Sequence, residues 1–174
     1  AMPVSHGFVI NCPGILGTLS RGGAVALADA PSAETALDAI ERCGVTHTTL
    51  VPALLSQWSE LQQKTPRNLA TLWHVQVGGA RVTPELAASS SRSLGITLQQ
   101  CYGMSEGLLC FNAVDDDDAV RFSSQGRPLS PYDEVLIVDE NGCSLPVGKS
   151  GELITRGPYT LTEYYQNPQA NLAA

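Results

Sequence analysis

The residues best able to do chemistry sit in one short run, Gln99-Gln-Cys-Tyr-Gly-Met-Ser-Glu-Gly107, where a strand-like segment meets a loop with a glycine at each end. Two chemistries fit it. As G-x-S-x-G, Gly103 to Gly107 has the form of a nucleophile elbow with Ser105 as the attacking hydroxyl. A triad on that fold needs an acid and then a His later in the chain, yet His6, His47 and His74 all precede Ser105. The run after Gly107 also reads as a strand, where an elbow serine should open a helix. The second chemistry concerns phosphate. A glycine-framed loop can turn backbone N–H groups inward, a Ser hydroxyl can donate to a phosphate oxygen, and Glu106 can hold the Mg²⁺ that neutralises it. Tyr102, beside the loop, could stack on a base. The plain alternative is a structural turn with Glu106 in solvent.

The elements that must position this loop alternate. Ala24 to Ala28 reads as a short buried strand, and Ser32 followed by Ala33, Leu37 and Ile40 reads as an N-capped amphipathic helix ending at Gly44. Val45 to Leu50 suits a strand, and Pro52 suits the start of a helix carrying Leu54, Leu55, Trp58 and Leu61. Leu72 to Val77 is the next strand; Thr83-Pro84 opens a helix that Gly95 closes before the strand from Ile96 to Tyr102. The fold class is therefore α/β, a mostly parallel sheet flanked by helices. Such sheets place ligands at the carboxyl ends of their strands, so Gly78-Gly79-Ala80-Arg81 and Gly103 to Gly107 are expected to rim one site. After Asp115 to Asp118, read as a solvated turn, the texture changes. Glu134 to Val138, a turn at Asn141-Gly142, and Gly151 to Thr155 suggest a small antiparallel, β-barrel-like portion. The expected division is residues 1–114 and 115–174.

Composition bounds the partners. The chain has 174 residues, 43% hydrophobic and 16% charged, with a formal net charge of -7, the balance of a globular protein. Ten scattered Lys and Arg residues form no basic patch, which argues against a nucleic-acid partner. No apolar run approaches the roughly 20 residues of a membrane span, and the start lacks a signal-peptide pattern. Cys12, Cys43, Cys101, Cys110 and Cys143 show neither paired spacing nor zinc-ligand spacing; reduced core thiols in a cytoplasmic protein are expected.

Five blocks, in order along the chain, resemble the adenylate-forming superfamily and, within it, the stand-alone aryl-acid:AMP ligases that act on 2,3-dihydroxybenzoate or salicylate in siderophore and nonribosomal peptide biosynthesis. They are His6-Gly-Phe8 with Cys12-Pro-Gly14, Gln76 to Arg81, Gln99 to Gly107, Ser124-Gln-Gly-Arg-Pro128, and Gly151 to Pro158 followed by Tyr164-Tyr165. The resemblance implies that an aromatic carboxylate attacks the α-phosphate of ATP, and that the acyl group then passes to a phosphopantetheine thiol of an aryl or peptidyl carrier protein. Positioning and charge neutralisation, not a covalent nucleophile, would carry the rate. ATP and Mg²⁺ are the implied cofactors. Tyr102 corresponds to the adenine-stacking aromatic, Gly79, Ala80 and Arg81 to the opposite wall, and Gly103, Met104 and Ser105 to the phosphate loop. Glu106 corresponds to the Mg²⁺ carboxylate, and His6 to the residue near the acyl carboxylate and thiol tunnel; these two are the implied catalytic residues.

The implied acid pocket, His6, Gly7, Phe8, Cys12, Gly78, Cys101 and Leu109, departs from the family. Gly7 stands where dihydroxybenzoate and salicylate enzymes usually carry Asn for the 2-hydroxyl; losing that partner costs about 1 kcal/mol or more. Cys12 replaces Ser and Leu109 replaces a smaller Val, making the 3-position side apolar and tight. A benzoate, a substituted salicylate or a heteroaromatic acid fits this pattern, and the space at Gly7 favours something larger; Asn11 could instead supply the lost amide. Glu163 stands where the family usually has Gly. The resemblance also implies a phosphate-gripping Lys loop before this segment, and after it a ribose-binding Asp and a mobile C-terminal domain, so the 174 residues are expected to be inactive alone. An acyl-CoA ligase and a non-catalytic binding module are the competing readings.

Overall fold

The computed structural model describes residues 14–173 and divides into two compact units, residues 14–102 with 111–126, and residues 103–110 with 127–173. The first contains α1 (Gly14–Ser20), α2 (Ala33–Cys43), β1 (His47–Leu50), α3 (Pro52–Lys64), β2 (His74–Val77), α4 (Pro84–Leu94) and most of β3 (Thr97–Gly103). β1, β2 and β3 run parallel, with His47 opposite His74 and His74 opposite Thr97. Strand order within this unit is β1-β2-β3; β4 (Leu109–Phe111) and β5 (Arg127–Pro128) follow along the chain.

Local sequence sets the helix boundaries. Ser32 Oγ accepts the Thr35 N–H at 3.2 Å at the start of α2, and Thr83 Oγ1 accepts the Leu86 N–H at 3.3 Å at the start of α4; such caps contribute about 1 kcal/mol each. Pro52 and Pro84 occupy first-turn positions whose N–H groups need no helical partner. Gly44 and Gly95 end α2 and α4 in the left-handed conformation, where a Cβ would be disfavoured. The apolar faces of these helices meet the sheet in one cluster that includes Leu37, Ile40, Leu50, Leu55, Trp58, Val75, Val77 and Leu98. α3 packs against both α2 and α4. All four residues of β2 are buried, as a strand covered on both faces requires.

One expected strand is absent. Ala24 to Ala28 forms no named strand: only Leu27 makes an isolated bridge, and its side chain is 54% exposed. Among the described residues no strand forms a ladder with this run, and its three alanines bury little area of their own. The Asp115 to Asp118 run is a turn that becomes a helix start, with Asp117 capping α5 (Asp118–Ser123) and Asp116 Oδ2 accepting the Ala113 N–H at 2.7 Å. Cys101 and Cys110 are buried as expected, but Cys43 and Cys143 are exposed.

In the second unit, β6 (Glu134–Val138) and β7 (Glu152–Arg156) pair antiparallel from Glu134–Arg156 to Val138–Glu152. Asp139 organises their turn: its Oδ1 accepts N–H groups of Asn141 at 2.9 Å and Cys143 at 2.8 Å, and Gly142 takes a positive φ of 76°. The unit ends in α6 (Pro168–Ala173).

Candidate functional site

Within the first unit, the candidate residues sit at the carboxyl ends of the neighbouring strands β2 and β3. Gly78 is buried and donates its N–H to Leu50 O at 3.1 Å, so the β2 end is tied to β1 before the chain turns out through Gly79, Ala80 and Arg81, all exposed. Arg81 has no ion pair among the described residues, which leaves its guanidinium available to a ligand or to water. Cys101 is buried and Tyr102 half-buried on β3.

A ladder of buried polar side chains runs beneath these ends. Thr49 Oγ1 donates to Gln76 Oε1 at 3.5 Å, Gln76 Nε2 to Gln99 Oε1 at 2.9 Å, and Gln99 Nε2 to Asn112 O at 2.7 Å. Asn112 extends it, accepting the Gln100 N–H at 2.9 Å and donating to Ser124 O at 3.0 Å. Strand alternation puts Gln76 on the face of Gly78, and Gln99 on the face of Cys101. The sequence reading missed this ladder; its signal was the alternation of His74 and Gln76 with Val75 and Val77.

His47 and His74 open β1 and β2, at the amino end of the sheet, with ring centroids 6.1 Å apart. Burial, and then the neighbouring His47, push the His74 pKa down, with a hydrogen bond to Gln99 opposing. His74 Nε2 is buried with no hydrogen-bond partner among the described residues. Burial also lowers the His47 pKa. A cavity of about 530 Å³, lined by Gly14, Thr18, Ala24, Cys43 and His47 among others, opens at this same amino end. It is away from the strand ends where ligands bind in open α/β sheets, and among the described residues no carboxylate lines it.

In the second unit, Gly103, Met104, Ser105, Glu106 and Leu109 come together in one hairpin turn between β3 and β4. Met104 N–H donates to Leu108 O at 3.0 Å and Gly107 N–H to Met104 O at 3.2 Å. The segment after Ser105 is the strand β4, not a helix, so the elbow geometry is absent. Close approach to backbone requires the glycine at 107, whereas at 103 the neighbour is the movable end of a leucine side chain. A Cβ at Gly103 would lie 2.7 Å from Leu109 Cδ1, and one at Gly107 would lie 2.6 Å from Thr160 Cα. Ser105 is exposed and Glu106 half-buried.

Glu106 is gripped from the chain that follows β7. Its backbone carbonyl accepts the Leu161 N–H at 2.8 Å, and its Oε1 accepts the Tyr164 hydroxyl at 3.2 Å. Burial, then the hydrogen bond and charge of Glu106, raise the Tyr164 pKa. Sequence reading placed Tyr164 in a family-like block but gave it no partner. Cys110 beyond the turn has its thiol pKa pushed up by burial and then by Asp133. His6, Gly7, Phe8 and Cys12 lie outside the described residues.

Among the described residues no three or more His, Cys, Asp or Glu side chains cluster as a metal cage. One partly buried carboxylate with an oxygen unengaged by protein suits Mg²⁺, which keeps waters and takes one or two carboxylates together with substrate phosphates. Among the described residues no helix is long and apolar enough to cross a membrane.

The α/β architecture, with a mainly parallel sheet flanked by helices, matches the N-terminal domain of adenylate-forming enzymes. The chain belongs to that superfamily: the profile of the AMP-binding enzyme family matches residues 1–165. It is 45% identical, over 99% of its length, to the 2-hydroxy-7-methoxy-5-methyl-1-naphthoate–CoA ligase of Streptomyces carzinostaticus, of which it covers 31%. It is 40% identical, over its whole length, to the 2,3-dihydroxybenzoate-AMP ligase of Bacillus subtilis, covering 32% of that protein. The apo structure of Mycobacterium smegmatis MbtA superposes with a TM-score of 0.88 at 44% identity, over 98% of this chain and 31% of that one. The chain thus spans about a third of the length of the relatives it matches.

Proposed function

We propose that this chain is the nucleotide- and acid-binding segment of an aryl-acid adenylating enzyme. In the first step a carboxylate oxygen of the aromatic acid attacks the α-phosphorus of ATP, the bond to the β-phosphate oxygen breaks, and pyrophosphate leaves. In the second, a phosphopantetheine thiol gives up its proton, its sulfur attacks the acyl carbon, and AMP departs with the C–O bonding pair. The observation that carries this reading is the β3–β4 turn, which puts a carboxylate at Glu106, a hydroxyl at Ser105 and two glycines, the second forced by close packing, into six consecutive positions beginning at Tyr102.

The roles divide by unit. Tyr102 stacks on adenine, with Gly79, Ala80 and Arg81 as the facing wall. Gly103, Met104 and Ser105 receive the α-phosphate by backbone and hydroxyl contacts. Glu106 holds Mg²⁺, which when bound screens the phosphate charge. By the family resemblance, the aryl acid is assigned to Gly7, Phe8, Cys12, Gly78, Cys101 and Leu109, and the acyl carboxylate to His6. The Gln76–Gln99 ladder keeps the strand ends carrying Gly78 and Cys101 in register. Cytoplasmic siderophore or nonribosomal peptide synthesis is the setting, with a carrier protein as thiol donor and the remainder of a longer enzyme completing the site.

One observation favours a second acceptor. A relative 45% identical is named as a CoA ligase acting on a substituted naphthoate, and CoA offers the same phosphopantetheine thiol. That two-ring acid also agrees with the expectation from sequence that glycine at position 7 admits a larger acid. The test is pyrophosphate exchange by the full-length protein that carries this chain, against benzoates, salicylates, naphthoates and heteroaryl acids. Mg²⁺-dependent exchange tolerant of a missing 2-hydroxyl is expected, and Glu106→Gln should lower it by about 10²-fold or more, the scale of one electrostatic group in phosphoryl-type chemistry. A strict demand for the 2-hydroxyl overturns the reading of Gly7. Absence of any Mg²⁺-dependent nucleotide binding makes the protein a non-catalytic module.

A further inference from the structure

Tyr164 and Glu106 are 58 residues apart in sequence, yet they meet through a hydrogen bond from the phenol to Oε1 at 3.2 Å. Three further contacts fix this arrangement. Leu161 N–H holds the Glu106 carbonyl at 2.8 Å. Thr160 packs so closely on Gly107 that a Cβ there would lie 2.9 Å from Thr160 Oγ1, an oxygen that is itself buried with no partner among the described residues. Asn171 clasps the main chain of Tyr164 from both sides, accepting its N–H at 2.6 Å and donating to its carbonyl at 3.2 Å. Glu106 Oε2 has no hydrogen-bond partner among the described residues.

We infer that Thr160 to Tyr164 is a strap that orients the Glu106 carboxylate, with Tyr164 as a positioning residue: its hydroxyl occupies Oε1 and leaves Oε2 for a divalent cation. This rests on the proposed role of Glu106. A carboxylate on a turn has two free side-chain torsions beyond χ1, and fixing them before the metal arrives removes an ordering cost from binding. One of the two carboxylate oxygens is already paired, so the side chain offers the cation a single oxygen and not a bidentate grip, in keeping with a small ion that retains water.

The experiment measures Mn²⁺ affinity, by electron paramagnetic resonance, for the full-length protein saturated with α,β-methylene-ATP, which cannot release pyrophosphate. Tyr164→Phe, which removes only the hydroxyl, should weaken Mn²⁺ binding about three- to tenfold, the scale of one such hydrogen bond, with thermal unfolding unchanged. Asn171→Ala leaves the hydroxyl but frees the Tyr164 main chain, and should weaken Mn²⁺ in the same direction by less; it decides the matter if Tyr164→Phe unfolds. Unchanged or tighter Mn²⁺ binding in these variants, alongside a clear loss in Glu106→Gln, overturns the strap while leaving Glu106 as the metal ligand. No loss in Glu106→Gln overturns the metal role and the inference together.

Discussion

Leu98 in β3 and Leu136 in β6 are both strand leucines, but the first is fully buried and the second is 50% exposed. The contrast runs through the two units. Between residues 33 and 98 one continuous cluster of apolar side chains joins three helices to the parallel sheet. In the second unit the buried hydrophobic residues are Leu108, Cys110 and Val138 among those described, while Leu129, Tyr132, Leu136, Ile154 and Tyr165 face outward. The first unit is a scaffold in which strands covered on both faces hold loop ends in place. The second carries Ser105 and Glu106 on a turn held by a few specific hydrogen bonds. The residues proposed for the phosphates and the metal therefore sit where packing is thin and polar contacts set geometry, and segments of that kind open at low free-energy cost.

The sharpest test of the contrast is a matched pair of truncations. Leu98→Ala should cost about 2–5 kcal/mol in denaturant unfolding, as a buried leucine deletion does, whereas Leu136→Ala should stay within about 0.5 kcal/mol, as exposed substitutions do. Equal losses would mean that β6 is as tightly packed as β3. A smaller effect should come from Gln76→Leu, which strands the Gln99 amide oxygen in a buried ladder; about 1–3 kcal/mol is expected from denaturant titration, and no loss would show that the ladder contributes nothing to the scaffold. The smallest effect concerns pH. The folded pKa values of His74 and His47 lie below the ordinary 6.5, so as pH falls the unfolded chain takes up protons first. Their stabilisation is complete above 6.5 and fades as pH drops through the folded values. Unfolding midpoints from pH 7.5 down to 5 should fall in the wild type and fall less steeply in His74→Gln; an equal slope would remove His74 as a source.

The sequence made the helix boundaries of the scaffold legible because each is written in adjacent residues. Ser32 with Thr35, Thr83 with Pro84, and Gly44 and Gly95 act within one turn of themselves, so spacing alone identifies them. The β3–β4 turn was legible as a glycine-framed turn for a similar reason, and the lack of a later His was enough to set the elbow aside. Ala24 to Ala28 misled because a small-residue run looks buried whether or not a neighbouring strand exists to bury it. The polar ladder and the Tyr164–Glu106 bond could not be read at all. Each joins residues through a register or a return of the chain that no local pattern encodes, and Gln76, Gln99 and Tyr164 carry no motif that names a partner.

The path of the backbone between the units has a consequence for anyone recombining this protein with its relatives. The chain passes from the first unit to the second after Tyr102, returns at Phe111, and leaves again after Gly126. A gene fusion joined near residue 126 would look clean on a linear map, yet the incoming half would lack residues 103–110, and with them Leu108, Cys110 and the carboxylate that Tyr164 grips. Hybrids should therefore inherit the 103–110 hairpin and the 127–173 segment from one parent, with two exchanged cassettes in place of a single crossover.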